Sequence, residues 1–102
     1  MIEQEIYIVV KGHSIKKSLT DIVQARVLAR VEVLSDYPAY TLPKICGYDF
    51  WNPMTKEERI NAGIFVSYQV EIGALPLRHV ERKYQYPKHY RFTTNSTFKK
   101  EL

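Results

Sequence analysis

The chain has 102 residues and a mass of 12.0 kDa, room for one hydrophobic core and not for two. With 45% hydrophobic and 25% charged residues, four glycines and five prolines, its composition excludes collagen-like, coiled-coil and broadly disordered chains. The formal charge is +4, and it is uneven: residues 1–73 hold eight cations and nine anions, residues 74–102 seven and two, so the C-terminal segment is the candidate footprint for a polyanion, with a solvated face as the plainer alternative.

Residues 2–10, Ile-Glu-Gln-Glu-Ile-Tyr-Ile-Val-Val, are dense in β-branched and aromatic side chains and predict a strand, with Ile2, Ile6, Ile8 and Val10 on one face and Lys11-Gly12 as its end. A polar stretch follows. Ser18, with Asp21 three residues on, reads as a helix N-cap, and Val23, Val27, Val31 and Leu34 then recur along one stripe, predicting a helix over about 19–35. Alternation at Ala25, Val27, Ala29, Val31 and Val33 is the competing strand pattern. Thr41 to Gly47 suits a short helix, 41–47, capped by Thr41 and stopped at Gly47.

Thr55-Lys56-Glu57-Glu58 is a capping box that opens a helix over about 55–72, closed at Gly73. Ile60, Ile64, Tyr68 and Ile72 line one side and Ala62, Val66 and Val70 the other, so both sides are expected to be buried, with Gly63 admitting a close neighbour. From Leu75 the period changes to two. The alternation, with a polar connection Lys83–Lys88 containing Pro87 and a second run His89–Thr93, predicts a β-hairpin over about 76–93. Residues 94–102 read as a frayed tail.

The whole is expected to be a single α+β domain: three helices, a C-terminal hairpin and an extra N-terminal strand. This order is that of winged-helix domains, a three-helix unit followed by a two-stranded wing. Between Tyr40 and Phe92 the chain also resembles small bacterial and phage domains. The resemblance rests on an aromatic turn, on Glu58-Arg59-x-x-x-Gly63-x-Phe65-x-x-x-x-Val70-x-x-Gly73, on Leu75-Pro76 and on a strand ending near Tyr90-Arg91. It implies a winged-helix-like shape and, by analogy, a DNA-binding accessory or transcription-regulating role in bacteria, phage or mobile elements.

A duplex binder needs cations that reach phosphates from one rigid surface. Arg78, Arg82, Lys83, Lys88 and Arg91 crowd the hairpin, and Tyr84 and Tyr86 offer flat faces and hydroxyls. Tyr90 shares a face with Phe92 and is expected in the core. On the long helix Lys56, Arg59 and Asn61 could reach bases, but Glu57 and Glu58 leave no clean positive face. A protein-interaction module of inhibitor or immunity type is the alternative. It would act through the aromatic cluster of Tyr48, Phe50 and Trp51 or through edge pairing of the first strand in a homodimer. A second alternative is a metal-independent ribonuclease using His79, His89 and the neighbouring cations. The motifs point to no catalytic residue, no metal site and no cofactor. A lone cysteine, Cys46, is expected to be a small buried residue and forms no intramolecular disulfide. With neither a signal peptide nor a membrane-length apolar run, a cytoplasmic protein without membrane contact is expected.

Overall fold

The computed structural model describes residues 4–34, 38–81 and 87–93. The described residues form an α+β structure of four helices and two small antiparallel sheets.

The N-terminal strand is shorter than its sequence suggests and is half of a hairpin. β1 (Tyr7–Val10) pairs antiparallel with β2 (His13–Lys16), placing Ile8 opposite Ile15 and Val10 opposite His13. Lys11-Gly12 does more than end a strand. Both residues have positive φ, +50° and +80°, the backbone of a two-residue turn whose twist suits a hairpin. Ile15 and Val10 are buried while Ile6 is 61% exposed, so the inward face runs from Ile8 to Val10 and does not reach Ile6.

Helix α1 (Lys17–Arg30) starts earlier and ends earlier than expected, its N-cap being Lys16. Ser18, inside the first turn, donates its hydroxyl to Glu5 and caps nothing. The valine stripe is as read from the sequence: Val23 and Val27 are fully buried, and Val31 and Leu34 pack against the core from a turn beyond the helix. The helical period prevails over the alternating one because two turns of valine fill the contact with the long helix.

Strand β3 (Tyr40–Thr41) leads into α2 (Leu42–Cys46). Thr41 is the N-cap as expected, without a hydrogen bond from its side chain. Gly47 sits at φ +92°, turning the chain into a further one-turn helix that the sequence did not announce, α3 (Tyr48–Trp51). Helix α4 (Lys56–Glu71) begins at the full capping box, Thr55 accepting from the Glu58 N–H and Glu58 accepting from the Thr55 N–H.

One side of α4 is core: Ala62, Phe65, Val66 and Val70 are buried. The opposite side is not buried as expected. Ile60 and Ile72 are 53% and 56% exposed, Ile64 and Tyr68 are half-buried, and a Cβ added at Gly63 would meet nothing within 4 Å. Helix α1 covers α4 from one side, and the other side is left as an open groove.

The expected hairpin is β4 (Leu77–His79) against β5 (His89–Phe92), in register Leu77–Phe92, Arg78–Arg91 and His79–Tyr90. β3 adds to its other edge, giving the order β3-β5-β4. Tyr40 joins because its ring meets Phe92 edge-on, centroids 5.9 Å apart. The inner face of this sheet, Tyr40, Leu77, Tyr90 and Phe92, belongs with α1, α2 and α4 to one cluster of buried residues. The expected tail 94–102 lies outside the described residues.

Candidate functional site

Alternation along β4 and β5 separates two faces. Leu77, Tyr90 and Phe92 are buried, so Arg78 and Arg91, directly opposite each other, stand together on the outer face. Arg78 is exposed and Arg91 half-buried. Two guanidinium groups in one cross-strand pair repel, and nothing among the described residues offsets them: neither forms an ion pair, and the Arg91 Nε is buried with no hydrogen-bond partner there. The arrangement favours an anion at that face.

Lys88 goes elsewhere. Its Nζ donates to the Ser67 hydroxyl at 3.0 Å, carrying the charge from β5 toward α4. Ser67 also lies beside Tyr90, whose hydroxyl burial pushes up to about 12. Arg82, Lys83, Tyr84 and Tyr86 lie outside the described residues. On α4, Lys56 is exposed at the first helical position. Arg59 is half-buried, its Nη2 donating to the Asn52 carbonyl at 2.6 Å while its Nε is buried without a partner among the described residues.

Arg59 and Lys88 are brought together by the groove on the open side of α4, a cavity of about 610 Å³. Its floor is apolar, formed by Leu42, Trp51, Ile60, Ile64 and Tyr68. Lys11 and His13, from the tip of the β1–β2 hairpin, and Glu71 complete the polar rim, and the sequence reading did not single out Lys11. Its ammonium sits 2.7 Å from Glu71, which it holds below the usual carboxylate range. No local signal identifies Lys11, since its neighbours in the groove come from the far end of the chain. Lys56, Arg78 and Arg91 are not part of this groove.

The two histidines of the hairpin do not converge. His79 lies on the face of Tyr90, rings 5.0 Å apart, whereas His89 alternates to the opposite face and its Nδ1–H donates to the Pro87 carbonyl at 2.9 Å. A general acid and base for phosphodiester cleavage must address one phosphate, and this pair is separated by the sheet. Among the described residues no group of three or more His, Cys, Asp or Glu could hold a metal ion, and no helix is long and apolar enough to cross a membrane. Comparison of the chain with protein-family models, with curated proteins and with solved structures finds no match.

Proposed function

We propose that the chain binds nucleic acid, duplex DNA in the first place, through the outer face and tip of the β4–β5 hairpin in a winged-helix-like arrangement. The observation that carries this reading is the Arg78–Arg91 couple on the outer face, which forms no ion pair among the described residues, at the base of a connection whose sequence adds Arg82 and Lys83. The order α1, β3, α2, α4, β4, β5 with the sheet arranged β3-β5-β4 supports a helical unit followed by a wing, to which the β1–β2 hairpin and α3 are additions. Arg78, Arg82, Lys83 and Arg91 hold phosphates, with Lys88 and Arg59 nearer the groove. Apolar Ile60 and Ile64 make α4 a poor reader of base edges, so the preference for sequence is weak.

The test is duplex affinity across a salt series. Four or five phosphate contacts give a log–log slope of about −4, and Arg78→Gln with Arg82→Gln and Lys83→Gln flattens it by about 3. Undetectable binding at about 50 mM salt, or a slope the triple variant leaves unchanged, overturns the reading. A protein-interaction role is the second reading, favoured by the apolar floor with Trp51 and Tyr68. It predicts a complex that survives moderate salt and is lost on Ile64→Glu.

A further inference from the structure

We propose that the chain forms a two-fold dimer in which the β1 strands of two copies pair antiparallel with Ile8 on the axis. The argument starts from the backbone. The Lys17 N–H donates to the Ile6 carbonyl at 2.8 Å, and hydrogen-bonded partners alternate along an antiparallel pair. Ile8 and Val10 therefore also direct their N–H and C=O groups to β2, and Tyr7 and Val9 direct theirs to the far edge. Among the described residues no strand or loop pairs with that edge.

An edge strand that stays unpaired is ordinarily protected by a lysine, a proline or a bulge. Tyr7–Val10 has none of these. Its outward side chains are apolar as well, Tyr7 being 52% and Val9 74% exposed, with Ile6 beside them at 61%.

Because Tyr7 and Val9 supply the edge groups, four registers place a residue of the strand on a two-fold axis; with Val10 on the axis Val9 falls opposite the partner's Lys11, and only Val10 meets a residue of the partner strand. With Tyr7 on the axis, Glu5 falls opposite the partner's Val9; with Val9 on the axis, Tyr7 falls opposite the partner's Lys11. With Ile8 on the axis the pairs match in kind. Tyr7 meets the partner's Val9 twice, Ile6 meets the partner's Val10, and Glu5 meets the partner's Lys11. Apolar pairing thus selects one register, Glu5 and Lys11 being engaged within the chain by Ser18 and Glu71, and the contact closes on itself as a two-fold interface must. Two hairpins become one four-stranded sheet ordered β2-β1-β1-β2.

The test is the mass of the full chain in solution by light scattering or sedimentation, from micromolar to millimolar concentration, with two variants. The wild type is expected to reach twice 12.0 kDa. Val9→Lys should shift it to monomer without changing its circular dichroism. Ile8→Cys should cross-link to a dimer under mild oxidation, because residues on the axis form a non-hydrogen-bonded pair with Cβ atoms close to disulfide reach. Val33→Cys, at a position 66% exposed and outside the strand, should not, and Cys46 at 0% exposure does not compete. A wild type that stays monomeric throughout overturns the proposal. So does a dimer indifferent to Val9→Lys, or one in which Val33→Cys cross-links as readily as Ile8→Cys.

Discussion

Arg26, three turns into α1, donates its Nε–H to the carbonyl oxygen of Cys46 at 2.6 Å. Arg30, one turn further, does the same for Ile45 at 2.8 Å. Helix α2 has five residues and cannot satisfy its own last carbonyls, so two guanidinium groups from α1 do so and fix the angle between the helices. Arg26 also contacts the Asp49 carboxylate at 3.2 Å and lies 5.3 Å from the centroid of the Phe50 ring. Arg26→Ala should therefore destabilise the fold by about 2 kcal/mol, the range for a hydrogen bond to a charged donor. Arg26→Lys should recover less than half of that, because an ammonium cannot reproduce the planar fork. Urea unfolding of the three proteins measures both.

Gly47 and Gly63 call for opposite outcomes from the same substitution. At Gly47, φ +92° strains any side chain, and an added Cβ would lie 2.8 Å from the Asp49 carboxylate and 3.1 Å from the Arg26 guanidinium. Gly47→Ala should cost about 2 kcal/mol through backbone strain. It should be non-additive with Arg26→Ala, since both disturb one cluster. Gly63 lies inside α4 with open space around it, and Gly63→Ala should stabilise by about 0.5–1 kcal/mol. Thermal midpoints moving in the same direction for both substitutions would contradict this account.

Cys46 is fully buried and its thiol is pushed up to about 11 by burial, against the pull of Arg26 and Arg30. The thiolate is the reactive form, so at pH 8 in the native protein a thiol reagent should label Cys46 far more slowly than in urea. The labelling rate should rise in Arg26→Ala, about tenfold for each 1.4 kcal/mol of stability lost. Fast labelling of the folded wild type would mean that the α1–α2 contact opens without global unfolding.

Signals that lie next to each other in the chain were legible, and contacts made across it were not. The Thr55–Glu58 capping box and the stop at Gly73 delimit α4 from sequence because both act within one turn. The β4–β5 hairpin followed from period two, whereas the cross-strand register that sets Arg78 opposite Arg91 did not. Strand β2 escaped notice because Ile15 is its one apolar residue, and β3 because two residues become a strand through pairing with β5, half the chain away. The open side of α4 is not legible in the sequence for a related reason. An apolar stripe such as Ile60, Ile64, Tyr68 and Ile72 states what could be covered, and the number of neighbouring elements decides what is. Lys88 turns to Ser67 for the same kind of non-local reason, and Lys11 reaches the groove through a hairpin the sequence only half revealed.

Tyr90 couples the sheet to α4 and gives the alkaline limb of stability its sign. Buried at 2% exposure, its phenol is raised from 10.0 to about 12 mainly by burial, with the neighbouring Ser67 hydroxyl acting in the lowering direction. A group whose folded value exceeds its unfolded one adds stability that is complete below the unfolded value and is lost as pH rises through the folded value. Stability should thus fall between about pH 10 and 12, by up to about 2–3 kcal/mol from this group alone. Tyr90→Phe cannot ionise, so its alkaline limb should be shallower, although at pH 7 it loses the Ser67 contact and starts about 1 kcal/mol lower. Urea midpoints at pH 7, 10 and 11 for the two proteins, with phenolate absorbance followed in parallel, check the expectation. Curves that fall in parallel from pH 10 to 11 would place the alkaline transition on another group.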